Sequence, residues 1–226
     1  MKHLNAYGLL AIAICQLSAS LTSCTEPTQQ LRNGDLLFVG IPADYSLSDS
    51  TMGSAITAAT GNGDINYIHA AIIEVDGTEN YIIDATMRRG VARYPLDTFL
   101  LDFRLHGGAL PKLVVKRIAN AQLATQGVER AKKFIGQPYD VYFLPNNGAM
   151  YCTELVYESY RNADGSPIFN AAPMNFKNAD GEYPIYWQQL FQRIGQPIPQ
   201  DTLGTNPQAM QGEAILIDCG ELKVEK

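Results

Sequence analysis

Met150-Tyr151-Cys152-Thr153-Glu154-Leu155-Val156-Tyr157-Glu158-Ser159-Tyr160 is the stretch on which the reading of this chain turns. A loop-like run precedes it, Leu144-Pro145-Asn146-Asn147-Gly148-Ala149. From there on Cys152, Leu155, Val156, Ser159 and Tyr160 recur at i, i+3, i+4, i+7 and i+8, the stripe of a helix that faces a core. Thr153, Glu154, Glu158 and Arg161 fall on the opposite face. Cys152 is thus placed in the first turn of a helix, on its inward side. Unpaired backbone N–H groups at a helix start favour an anion. A thiol in such a place can become a nucleophile near neutral pH. The competing reading is a small apolar core residue, the common role of a buried free cysteine.

Upstream, two apolar runs read as strands, Tyr67 to Val75 and Thr78 to Thr86, with Asp76-Gly77 between them. Asp-Gly between alternating apolar residues is a strong hairpin signal. With Asp76 and Gly77 as the two central turn residues, Val75 faces Thr78, Ile73 faces Asn80, Ala71 faces Ile82 and His69 faces Asp84. Directly opposed side chains share a face, so the spacing predicts a His69–Asp84 pair. A one-residue slip would move one partner to the other face.

The first 24 residues are a separate object. Lys2 and His3 precede an apolar run from Leu9 to Cys15 that is too short to span a membrane, as in a secretory signal. The segment ends in Leu21-Thr22-Ser23-Cys24, which resembles the bacterial lipobox, so Cys24 is expected to carry lipid and anchor the chain to a membrane. Residues 25–32 would be a polar tether and 33–226 one domain. The 226 residues are 46% hydrophobic and 18% charged, enough for an ordinary core. A net charge of −6 gives no basic footprint for nucleic acid. Gly34 to Val39 reads as a first strand, Ser48 to Thr60 as a short helix, Arg88 to Tyr94 as a turn into a short helix at Pro95 to Leu100, and Lys112 to Arg117 as a strand. Leu123 to Ile135 and Tyr183 to Gly195 read as helices, the second as the last. Gln196 to Met210 reads as a long proline-bearing loop, and Cys219 as the end of a terminal strand.

A thiol hydrolase needs a nucleophile at a helix start, an imidazole to move the proton, and a polar group to hold the imidazole. Cys152, His69 and Asp84 fill those roles, the Cys152 N–H is an oxyanion donor, and Tyr151 is a candidate substrate-binding hydroxyl. His106, in Leu105-His106-Gly107-Gly108, reads as a surface loop residue. The remaining histidines and cysteines lack metal-ligand spacing, and there is no phosphate-binding glycine loop, so no metal or cofactor is expected. A Cys152–Cys219 disulfide is left open by the sequence.

Gly34-Asp35-Leu36-Leu37-Phe38, Tyr67-Ile68-His69-Ala70-Ala71-Ile72, Asp84-Ala85-Thr86 with Gly90-Val91, Gly136-Gln137-Pro138-Tyr139-Asp140 and Tyr151-Cys152-Thr153-Glu154-Leu155-Val156 occur in that order. The ordered set resembles the permuted papain-like amidases of the YiiX/YaeF group, in the NlpC-related branch of cysteine hydrolases. The resemblance covers roughly residues 33 to 210. It implies an α+β fold of circularly permuted papain-like type, with an antiparallel sheet packed against the helix that begins at the cysteine. It also implies a Cys–His–polar triad, mapped here to Cys152, His69 and Asp84; Asp140 is the alternative for the third position, but beside the Pro138-Tyr139 turn it reads as structural. The function so implied is a cell-envelope cysteine hydrolase that cleaves an amide, in a peptidoglycan peptide or an acyl-amide. Thiol-based acyl transfer between lipids, as in relatives resembling lecithin retinol acyltransferase, and non-catalytic capture of wall fragments are the alternatives.

Overall fold

The computed structural model describes residues 30–224; the signal segment, Cys24 and most of the tether lie outside the described residues. An antiparallel sheet of six strands organises them. The strands are β1 (Leu36–Pro42), β2 (Ile65–Asp76), β3 (Glu79–Thr86), β4 (Gly90–Pro95), β5 (Lys112–Ile118) and β8 (Leu216–Glu221), in the order β4-β3-β2-β1-β5-β8. The helices are α1 (Met52–Thr60), α2 (Leu96–Asp102), α3 (Ala121–Lys132), α4 (Cys152–Ser159), α5 (Ile185–Ile194) and the short α6 (Pro207–Met210). A two-stranded ribbon, β6 (Ala172–Pro173) with β7 (Leu203–Gly204), lies apart from the main sheet. No described helix is long and apolar enough to cross a membrane.

The sheet is covered on both faces, which explains the continuous apolar run of β1. Leu36 and Phe38 join Ile72, Ile83 and Ala85 beneath Val128 and Ala131 of α3 and Leu155 and Val156 of α4. Leu37 and Val39 point the other way, with Ile73 and Ile82, toward Phe99 and Leu100 of α2. A third cluster, Phe143, Phe176, Trp187 and Phe191 with Ala55, joins α1 and α5 to the loops beside α4. The α3–α4 contact is close because Gly127 sits against the Tyr160 ring, where a Cβ would overlap it. The Tyr160 hydroxyl donates to the Gly34 carbonyl at 3.0 Å and ties the end of α4 to the start of β1.

Several expectations are corrected here. Residues 90–95 form a strand, not a turn, and the segment from Gln196 to Met210 holds β7 and a helical turn, so α5 is not the last helix. The β2–β3 turn is Gly77-Thr78, with Gly77 at φ 63°, not Asp76-Gly77; Asp76 pairs with Glu79. Glycine at the first central position is what a two-residue II′ turn demands. The turn slides by one residue, which changes the register by two and so preserves faces. Thr153 and Glu154, expected on the solvent face, are buried because loops close over that side of α4 as well. No disulfide joins Cys152 to Cys219; the first is buried and the second half-buried.

Candidate active site

His69 and Asp84 meet as the faces require, although they are not opposite one another. Backbone pairing of β2 and β3 ends at Ile72↔Ile83. On its other side β2 carries a bulge: Val39 pairs with His69 but Gly40 with Tyr67, leaving Ile68 as the extra residue. The bulge resets the alternation beside His69, so that Tyr67 and Ala70, an odd number apart, both join the helix-side cluster. His69 therefore stands where β2 is kinked and parted from β3. Its Nε2–H donates to Asp84 Oδ2 at 2.8 Å, and both side chains are buried. With Nε2 engaged, Nδ1 is the nitrogen left for Cys152. The ring is held by Phe103 and Phe99, at centroid distances of 4.7 and 6.0 Å.

Asp84 is fully buried and has a second partner that the sequence reading missed. The Tyr94 hydroxyl donates to it, 3.0 Å from Oδ1 and 2.9 Å from Oδ2. Tyr94 was hidden inside the segment read as a turn. The alternation Val91-Ala92-Arg93-Tyr94 was the signal that could have placed it on a strand. The Arg89 guanidinium lies over the Tyr94 ring, 4.4 Å from its centroid, and is paired with Asp102.

Cys152 is the first residue of α4, buried among the lining of a cavity of about 50 Å³. The approach to it is fixed from both sides. The Val91 N–H bonds the Gln137 carbonyl and the Gly136 N–H bonds the Val91 carbonyl, each at 2.9 Å, so β4 holds the incoming chain. Gly90, at φ 64°, passes so close to the Gln137 carbonyl that no side chain fits there. The loop that follows is closed by Asp140 N–H to the Met150 carbonyl and Met150 N–H to the Pro138 carbonyl. The Asp140 carboxylate accepts the N–H groups of Tyr142 and Leu144, both at 2.8 Å, which makes its role structural. Tyr151 is buried, its hydroxyl accepting the Thr205 N–H at 3.0 Å and donating to the Met174 sulfur. His106 is exposed in its loop.

The electrostatics favour a charged imidazole. Burial alone pulls the His69 pKa down, but the negative charge of Cys152 and the hydrogen bonds to Asp84 and Cys152 outweigh it and raise it to about 10. A thiolate beside an imidazolium is the pair that can attack a carbonyl and then protonate a leaving amine. Glu154, two residues along, is instead held toward its neutral form: burial and the nearby Asp140 charge raise its pKa to about 8, against the Tyr151 N–H that favours its ionised form. Tyr139, half-buried beside Cys152, has its phenol pushed far up by burial and by the cysteine's charge. The sequence reading gave neither of them a place in the site.

The family model described as "Permuted papain-like amidase enzyme, YaeF/YiiX, C92 family" matches residues 30–216. The uncharacterized protein YiiX of Escherichia coli (strain K12) is 28% identical over 184 residues, covering 80% of this chain and 82% of that one. The crystal structure of YiiX from Escherichia coli O157:H7, titled a metalloprotein, superposes with a TM-score of 0.64 at 24% identity, over 84% of this chain and 97% of that one. At that identity the likeness speaks for the fold, which agrees with the antiparallel sheet and the helix that begins at the cysteine. The chain belongs to the permuted papain-like amidase family, and it is by that membership a cysteine hydrolase of the amidase and peptidase class.

Proposed function

We propose that the chain cleaves an amide by way of an acyl-enzyme on Cys152, with His69 as proton carrier and Asp84 as the group that orients it. The observation that carries this reading is the buried 2.8 Å bond from His69 to Asp84, set beside a cysteine at the N-terminus of a helix. The Cys152 thiolate adds to the carbonyl carbon. The carbonyl oxygen gains charge near the Cys152 N–H at the helix start, where donors are unpaired within the helix. The C–N bond then breaks and the His69 imidazolium protonates the leaving nitrogen. A water adds to the thioester and gives its proton to His69; the C–S bond breaks, releasing the acid and restoring the ion pair. Asp84 accepts the Nε2–H of His69 and keeps the ring in the right tautomer.

The metalloprotein title of the Escherichia coli neighbour raises a donor question for this chain. Among the described residues no group of three or more His, Cys, Asp or Glu side chains could hold a metal ion. His69 Nε2 and Asp84 Oδ2 are engaged with each other. These residues do not fit a metal, and no step is routed through one.

The proposed setting is the bacterial cell envelope, with the domain tethered through lipid on Cys24 and acting on peptide or acyl-amide groups of the wall. The resemblance of Leu21-Thr22-Ser23-Cys24 to a lipobox supports the setting. Purified wild type and Cys152→Ala are to be compared on muropeptides, peptide amides and N-acyl amides. Cleavage confined to the wild type supports the reading, and equal behaviour of the two on every substrate refutes it. Release of the Cys24→Ser variant from the membrane fraction is the corresponding test of the anchor.

A further inference from the structure

Two cavities flank the reacting pair, and they differ in what they touch. One, of about 50 Å³, is lined by Cys152 but not by His69. The other, of about 180 Å³, is lined by His69 but not by Cys152. Tyr139 and Ile56 line both and form the wall between them. The Tyr139 hydroxyl donates to the Met52 sulfur at 3.4 Å, which ties that wall to α1. The chemistry proposed above assigns the two sides. The acyl group stays bonded to Cys152 after the C–N bond breaks, whereas the amine leaves beside the imidazolium that protonates it.

We infer that the smaller cavity is the acyl-side subsite and takes a short, uncharged acyl group with about two or three heavy atoms beyond its carbonyl, of propionyl or lactoyl size, while the amine departs through the larger one. This rests on the amide-hydrolase reading. Size decides first: a cavity of about 150 Å³ accommodates benzene, so one of about 50 Å³ has room for roughly two or three heavy atoms. A long acyl chain does not fit between Phe143, Phe176, Trp187 and Met174, which are all buried. Charge decides next: no charged side chain lines the cavity, so a charged group would lose its hydration without gaining a partner. A hydroxyl is tolerated, because three lining residues carry buried polar atoms without a hydrogen-bond partner: Thr153 Oγ1, Thr205 Oγ1 and Trp187 Nε1. The larger cavity opens past Thr86 and the exposed Met87, and so sets a looser limit on the amine.

The test is a matrix of amides. The acyl side is varied through acetyl, propionyl, lactoyl, isocaproyl, hydrocinnamoyl, succinyl, β-alanyl and dodecanoyl groups, and the amine side through ammonia, an amino acid and an anilide. Propionyl and lactoyl amides are expected to give kcat/KM at least tenfold above isocaproyl, hydrocinnamoyl, charged and dodecanoyl ones, since one methylene in a tight pocket discriminates by roughly 10–200-fold. Met174→Ala, which widens this cavity alone, moves the optimum toward isocaproyl, and Ala59→Leu, which fills it, moves it toward acetyl. Should one variant not fold, the other still reports. Cleavage that depends on Cys152 but favours long or charged acyl groups, or is indifferent to them, overturns the inference and leaves the hydrolase reading standing. Cleavage that survives Cys152→Ala overturns both.

Discussion

Replacing Glu154 with glutamine stabilises this protein at alkaline pH and leaves it unchanged at mildly acid pH. Glu154 is buried, faces Asp140, Glu158 and Tyr151, and has a pKa raised from 4.5 to about 8. Between those two values the unfolded chain has released the proton and the folded chain still holds it. Stability therefore falls as pH rises, at about 1.4 kcal/mol per pH unit for this group. Summed over the window the ceiling is about 5 kcal/mol. Glu154 also lines a cavity of about 360 Å³ together with Glu158 and Arg161, and water entering there lowers the penalty, so roughly 2 kcal/mol is the expected gain at pH 8. Glutamine keeps the acceptor for the Tyr151 N–H and cannot ionise. The assay is urea unfolding of wild type and Glu154→Gln at pH 5, 6, 7 and 8. The other carboxylates act on both proteins and cancel in the difference. A difference that is flat with pH, or that grows toward acid, refutes the reasoning.

Asp84→Asn removes the charge that helps hold the His69 pKa near 10. The imidazolium is present below that pKa and lost above it, so the alkaline limb of kcat/KM moves to lower pH in the variant, with kcat reduced roughly 10²–10⁴-fold. Tyr94→Phe deletes the hydroxyl shared by both Asp84 oxygens and keeps the ring under Arg89. Chemical denaturation should show a loss of about 1.5–3 kcal/mol, the range for a hydrogen bond to a charged group. Gly127→Ala drives a methyl into the Tyr160 ring and separates α3 from α4, costing about 1–3 kcal/mol in the same assay.

The place of Cys152 at the start of a helix was legible because a helical stripe and the loop before it can both be read from residue type alone. The His69–Asp84 pair was legible for a less secure reason. The turn was placed one residue early, and the pairing survived because sliding a two-residue turn moves the register by two. A turn of another length would have separated the pair. The β2 bulge was not legible, since nothing in Tyr67-Ile68-His69-Ala70 marks which residue is extra; the partner strand decides. Tyr94 was lost because Arg88-Arg89-Gly90 announces a turn, and the strand after it is short. Glu154 was misplaced for a physical reason: helical periodicity identifies the face toward the sheet, but loops from other parts of the chain bury the opposite face.

His69, Asp84 and Tyr94 all belong to the meander β2–β3–β4, whose contacts are local in sequence, whereas Cys152 comes from beyond β5 and α3. Local contacts close over short loops and form early, and distant ones bear the larger closure entropy and form late. His69 and the two side chains that hold it can thus be assembled while Cys152 is still remote. A nascent or half-folded chain carries a cysteine with no imidazole beside it, so under the proposed mechanism the order of the chain itself postpones reactivity until folding is complete.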